Sequence, residues 1–177
     1  MNLPNKLTIS RIFLIPVFII FLINGYYLFS FVSFGIASLT DALDGIIART
    51  WNQKSKFGFF LDPIADKLLI NTSFITLAIM KFIPWWLAII VLGRDALISL
   101  GVMAIYIVNK RMIISPTLIG KLTTTVQMLT ILITLLNLWM KHLSLIVTFF
   151  VWISALLTIV SGFDYIFIIA RISDSQA

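Results

Sequence analysis

The chain has 177 residues, 60% of them hydrophobic and 11% charged, with a mean hydropathy of +1.09 and a formal net charge of +6. A soluble domain of this length does not need so much apolar surface, so the composition predicts an integral membrane protein and leaves room for one domain, 1–177. With no cysteine and a single histidine, His142, it excludes disulfides, thiolate metal sites, a cysteine nucleophile and a histidine-cluster metal site within one chain.

Six apolar stretches are long enough to cross a bilayer as helices, each needing about 20 residues. They are predicted at 7–29, 31–49, 57–80, 85–108, 117–140 and 143–170, giving an all-α fold of six transmembrane helices. The breaks are Asn24-Gly25, the polar run Thr50–Lys56, Lys81–Pro84, Asn109–Pro116 and Lys141-His142. All are short, so successive helices are expected to be antiparallel neighbours. The N-terminus lacks the small-residue cleavage site of a signal peptide, and further apolar spans follow it.

Basic residues set the expected orientation. With the N-terminus in the cytosol, Lys6, Arg11, Arg49, Lys54, Lys56, Lys67, Lys110, Arg111, Lys121 and Arg171 lie on or toward the cytosolic side. Lys81 and Lys141 lie outside, and Arg94 falls mid-span. This bias predicts both termini inside a cytoplasmic (inner) cell membrane. Trp85, Trp86 and Trp139 then sit at the outer interface as anchors. The positive charge is assigned to orientation and to anionic lipid headgroups rather than to nucleic acid.

All seven acids are aspartates, and four of them fall within DALDGIIARTWNQKSKFGFFLDPIAD, Asp41 to Asp66. Asp41 and Asp44 are i and i+3 near the end of the second span. Asp62 and Asp66 are i and i+4 near the start of the third, with Gly58 one turn earlier on the same line. Two neighbouring antiparallel helices are expected to bring these carboxylates together in a cytosol-facing polar cavity. Pro63 is expected in the first turns of its helix, or at a kink.

Burial of so much like charge is expensive. An aspartate at the bilayer centre costs roughly 2.5–3.5 kcal/mol on insertion scales. Two carboxylates about 4 Å apart repel by about 4 kcal/mol at an effective dielectric of 20. Arg49, Lys56 and Lys67 offer nearby positive charge. An all-oxygen donor set suits a hard cation such as Mg²⁺, Mn²⁺ or Ca²⁺, and four carboxylates can flank two ions, an arrangement that commonly acts on phosphoryl oxygens. Gly45, Ala48 and Gly58 allow close helix packing or leave a ligand-sized gap beside the acids.

Written as a pattern, the stretch is D-x2-D-G-x2-A-R-x8-G-x3-D-x3-D, carried by Asp41, Asp44, Gly45, Ala48, Arg49, Gly58, Asp62 and Asp66. It resembles the signature of the CDP-alcohol phosphatidyltransferase family at all eight positions and spacings. The resemblance implies transfer of a phosphatidyl group from a CDP-linked lipid, usually CDP-diacylglycerol, to an alcohol, with release of CMP. It implies Asp41, Asp44 and Asp62 as metal ligands, and Asp66 as the base and a further ligand of a pair of Mg²⁺ or Mn²⁺ ions. Gly45, Ala48, Arg49, Lys56 and Gly58 would shape the nucleotide and pyrophosphate site. It also implies a homodimer.

The acceptor is less sharply drawn. The segment NLPNKLTISRI, Asn2 to Ile12, resembles the start of the phosphatidylglycerophosphate synthase branch, with Asn5 and Thr8 as candidates to reach the nucleotide. An anionic alcohol such as glycerol-3-phosphate would need cations, and Lys67, Arg94 and Lys121 are the candidates. Two features depart from that branch. Arg94-Asp95 stands where Arg-Glu is expected. PTLIGKLTTTVQM, Pro116 to Met128, resembles the cardiolipin synthase branch, whose alcohol is phosphatidylglycerol. Arg11 is expected to pair with an acid of the site or to snorkel, and Asp164 to pair with a base such as Arg11.

Other function classes fit less well. An ion or proton transporter needs a polar path to both sides, whereas these acids crowd one half. An intramembrane prenyltransferase also uses aspartates and Mg²⁺, but spreads its motifs over separate helices.

Overall fold

The structure is a computed structural model. It describes the backbone over residues 3–50, 56–108 and 117–174, and the side chains over 10–40, 65–101, 103 and 117–168. The described residues form six α-helices and no strand. These are α1 (Leu3–Ile23), α2 (Tyr27–Thr50), α3 (Lys56–Ile79), α4 (Trp85–Val108), α5 (Leu118–Met140) and α6 (Ser144–Asp174).

Helix number and order agree with the sequence, but the first boundary does not. The expected span 7–29 ends as a helix at Ile23, and α2 begins at Tyr27 rather than Phe31. The cause is a Schellman stop. Gly25 has φ +78°. Its N–H reaches the Leu22 carbonyl at 3.1 Å, and the Tyr26 N–H reaches Phe21 at 2.9 Å. Phe21 and Tyr26 make the accompanying edge-on ring contact, with centroids 6.4 Å apart. Lys81, at φ 62°, ends α3 in the same way: its N–H bonds Ala78, and that of Phe82 bonds Leu77. Lys141 closes α5 in the left-handed region, and the Asn137 side chain accepts from the Leu143 N–H at 2.8 Å. At the other end of α5, Thr117 is the N-cap, its hydroxyl accepting from the Gly120 N–H. Pro63 is the eighth residue of α3, at the close of its first two turns.

Packing corrects the expectation that every successive pair of helices is adjacent. Contacts are extensive for α1 with α2, α3 with α4, and α5 with α6. Among the described residues, α2–α3 and α4–α5 make marginal contact at most. Instead α1 packs against both α2 and α3, α2 packs on α5, and α4 packs on α6. Among the described residues, the helices carrying the aspartate pattern are therefore joined through α1.

The interior mixes apolar and polar groups. Phe18, Phe34, Leu69, Phe74, Leu87 and Leu135 lie in the core cluster, with the Phe18 and Phe34 rings 5.7 Å apart. A hydroxyl-rich seam joins α5 to α6. Gln127 donates to the Thr158 hydroxyl at 3.0 Å, and Thr123 and Thr130 donate across the interface to the Leu157 and Phe150 carbonyls. The outer faces carry exposed Ile20, Ile36, Ile89, Leu100, Leu145 and Phe167. Hydroxyls inside and large apolar side chains outside reverse the soluble pattern and match a protein solvated by lipid. Trp85, Trp86 and Trp139 are exposed, as interfacial anchors would be. Two helical segments, Leu118–Met140 and Ser144–Ile168, are long and apolar enough by themselves to cross a membrane.

Gly25→Ala is expected to lower stability by about 1–2 kcal/mol through its left-handed backbone, because open space surrounds the position and no clash arises. Gly25→Asn is expected to lose less. Denaturant unfolding of the detergent-solubilised protein would measure both.

Candidate active site

Helix position brings the acids to one end of the fold. Asp41, Asp44, Gly45, Ala48 and Arg49 fall in the last three turns of α2, and Lys56, Gly58 and Asp62 in the first two turns of α3. Asn5 and Thr8 fall in the first turns of α1. The side chains of these residues lie outside those described, as do Lys110 and Arg111. Asp66, one turn beyond Asp62, is described.

The Asp66 side chain is about 30% exposed, and its Oδ1 accepts a hydrogen bond from Nη1 of Arg11 in a salt bridge. Arg11 is 1% exposed. Packing of α1 on α3 thus buries an arginine so that its guanidinium meets a carboxylate of the aspartate pattern. Arg11 takes the first of its two expected roles, pairing with an acid of the site, and it does not snorkel. The pair expected between Asp164 and Arg11 does not form, and Asp164 makes no ion pair among the described residues. The α6 residues that do reach charged partners flank it: Ser161 and Tyr165.

Those two residues help build a second polar cluster, around Arg94. The Arg94 guanidinium donates to Asp95 Oδ1 at 2.8 Å and to the Ser161 hydroxyl at 2.7 Å from Nη2 and 3.3 Å from Nε. It also lies 5.8 Å from the Tyr165 ring centroid. Gly120 backs the cluster: a Cβ there would stand 3.3 Å from Arg94 Nη2 and 3.4 Å from Tyr165. The hydroxyl of Tyr165 accepts a long bond, 3.4 Å, from the Thr117 N–H. Arg94 is therefore clasped between α4 and α6, with α5 against it. Sequence reasoning named Arg94 and Asp95 but missed Ser161, Tyr165 and Gly120. The small pair Ser161-Gly162, which admits a helix at close range, was the available signal; the Arg94 stem passes 3.8 Å from the position of a Gly162 Cβ.

The other two acceptor candidates differ. Lys67, next to Asp66, donates to the Ser99 hydroxyl on α4, and Ser99 donates in turn to the Asp95 carbonyl at 2.8 Å. Lys121 is exposed in the first turn of α5, and its ammonium has no partner among the described residues. The structure thus brings Asp66 and Arg11 together, and links Lys67 through Ser99 to the Arg94–Asp95 pair.

A carboxylate donor set is chemically suited to a divalent cation, and Asp66 is placed to belong to one: it is half-buried and partly open. Among the described residues, which include only Asp66 of the four aspartates, no group of three or more acids or histidines could hold a metal.

Comparison with known proteins identifies the family. The family model described as CDP-alcohol phosphatidyltransferase matches residues 1–160. The chain is similar to the CDP-diacylglycerol–glycerol-3-phosphate 3-phosphatidyltransferases of Bacillus subtilis (32% identity) and Salmonella paratyphi A (34%). It is also similar to that of Shigella flexneri serotype 5b (32%). Each match covers 93% of this chain and 93% of the relative. The chain therefore belongs to the CDP-alcohol phosphatidyltransferase family and is a transferase of phospholipid synthesis.

Proposed function

We propose that the protein transfers a phosphatidyl group from CDP-diacylglycerol to glycerol-3-phosphate, releasing CMP and forming phosphatidylglycerophosphate. The observation that carries this reading is the Asp66 carboxylate, half-open and bonded to Arg11, at the end of the eight-position pattern. Relatives of matching length that bear the name of this activity support the choice of acceptor. All six helices span the membrane in this reading, in a single domain with both termini and the active site cytosolic. The basic-residue bias and the outward apolar faces support that placement. A homodimer is part of the same proposal, from family resemblance.

Asp41, Asp44, Asp62 and Asp66 would hold Mg²⁺ or Mn²⁺, as a pair of ions. Bound there, the metal supplies positive charge against the pyrophosphate and the departing CMP. The residues of the chain do the rest. Asn5, Thr8, Gly45, Ala48, Arg49, Lys56 and Gly58 seat the nucleotide and pyrophosphate. Asp66 takes the proton of the acceptor hydroxyl. The hydroxyl oxygen forms a bond to the phosphorus carrying diacylglycerol, and the bond from that phosphorus to CMP breaks, its electron pair leaving with CMP. Asp66 lies nine residues beyond Phe57, about 13 Å along a helix at 1.5 Å per residue, a depth suited to a lipid phosphate entering from the side.

The second reading is a cardiolipin synthase with phosphatidylglycerol as acceptor. One observation favours it. Arg94 is already bonded by Asp95 and Ser161, and Lys67 by Ser99, so the cations available for a free phosphate are partly committed. Arg94-Asp95 and the segment Pro116–Met128 point the same way.

The test is CMP release by purified protein with CDP-diacylglycerol and Mg²⁺, with each acceptor in turn. Metal-dependent CMP with glycerol-3-phosphate alone is expected; CMP with phosphatidylglycerol alone would favour the second reading. Asp66→Asn is expected to abolish turnover while leaving CDP-lipid binding largely intact, and near-normal turnover would remove Asp66 as the base. Asp41→Asn should weaken activity and Mg²⁺ dependence together. Arg94→Met is expected to raise KM for glycerol-3-phosphate by roughly tenfold or more, the loss of a charge-assisted hydrogen bond. An unchanged KM would exclude Arg94 from the acceptor site.

A further inference from the structure

Arginine is among the residues least often buried completely, because its charge loses water and its five donors all seek partners. Arg11 is nevertheless 1% exposed, and it is among the largest fully buried side chains of the described residues. It comes from α1, a helix outside the aspartate pattern. Its Nη1 donates to Oδ1 of Asp66 on α3, fifty-five residues away in sequence. Ala65, beside Asp66, and Phe18, two turns further along α1, are fully buried, and Ile15 between Arg11 and Phe18 is buried. The guanidinium therefore reaches Asp66 from the protein interior, while about 30% of the Asp66 side chain stays accessible.

This geometry suits orientation more than simple helix adhesion. An aspartate carboxylate turns about a soft terminal torsion with broad wells. A planar guanidinium held in packed surroundings fixes the oxygen it binds, and so fixes the plane in which the carboxylate acts. Metal ligands and bases are commonly held by such partners, whose loss typically costs about 10–100-fold in metal affinity or activity.

We propose that Arg11 is a positioning residue for the transfer reaction: buried between α1 and α3, it sets the orientation of Asp66 for metal binding and for proton removal from the acceptor. The proposal rests on the role given to Asp66 above. It gives α1 a second part in the reaction, beside Asn5 and Thr8, through a residue that acts by way of Asp66.

The test uses the full-length protein in detergent and the variants Arg11→Met, Arg11→Gln and Arg11→Lys. Three quantities are measured: Mn²⁺ binding by the loss of free-ion EPR signal, kcat and KM for CMP release, and the melting temperature. The two neutral variants are expected to melt within a few degrees of the native protein. They should bind Mn²⁺ about tenfold more weakly and lose about 10–100-fold in kcat, with both KM values within threefold of native. Arg11→Lys, which keeps the charge but not the planar fork, should recover only a small part of the loss. Native-like Mn²⁺ binding and kcat in folded Arg11→Met would overturn the proposal. So would a rise in KM alone, which would make Arg11 a substrate ligand. Failure of both neutral variants to fold would make Arg11 a residue of the fold and overturn it equally. Mn²⁺ binding needs no acceptor, so it separates this proposal from the assigned reaction. Native protein that binds Mn²⁺ but releases no CMP would defeat the reaction while the variants still decide Arg11. Native protein that does neither would defeat both.

Discussion

A charge or hydroxyl inside an apolar helical bundle has to be met by another protein group, because neither lipid nor packed side chains can replace water. Much of the organisation of this protein follows from that constraint. Helices close their own backbones, and the three described turns end them with left-handed residues, Gly25, Lys81 and Lys141, that tie up the last carbonyls. Serine and threonine hydroxyls turn back to carbonyls of the preceding turn, as at Ser73 and Thr76, or cross to the next helix, as at Thr123 and Thr130. Gln127 is 1% exposed and meets Thr158. Large apolar side chains are left to face outward, where lipid receives them at little cost.

The same constraint shapes the functional end. Arg11 brings positive charge to Asp66 from α1, and Asp95 and Ser161 satisfy Arg94 between α4 and α6. Lys67 and Ser99 lie between these two groups, because Lys67 is next to Asp66 and Ser99 bonds the Asp95 carbonyl. A hydrogen-bonded and sequence-adjacent path thus runs from the carboxylate on α3 to the arginine clasped by α6. Such networks hold side chains in one geometry, since breaking any member leaves a buried polar group without its partner.

The division between the two halves of the bundle also bears on acceptor choice. In the proposed reaction the carboxylate end would be common to any alcohol, because every acceptor must lose a proton and every donor carries a pyrophosphate. In that proposal the Arg94 cluster is the place where acceptors would be told apart. Its arginine has two internal partners and an aromatic face, and Gly120 keeps a side chain out of the space beside it. A free phosphate must compete with Asp95 and Ser161 for that guanidinium, whereas a lipid-borne alcohol need not.

Much of this was legible in the chain itself. Runs of about 20 apolar residues specify helices with little help from tertiary contacts, so six helices in order, and most of their ends, could be read directly. The aspartate pattern is local, eight positions within 26 residues, so it could be recognised without knowing which helices touch. The first helix end was misjudged because apolar residues continue on both sides of Asn24-Gly25, and the stop is made by backbone geometry rather than polarity. Helix adjacency, the Arg11–Asp66 pair and the Ser161–Arg94 clasp were decided only by the tertiary structure. Their partners lie 55 and 67 residues apart, on helices whose faces are apolar nearly all round, and such faces give no periodicity to say which neighbour each will meet.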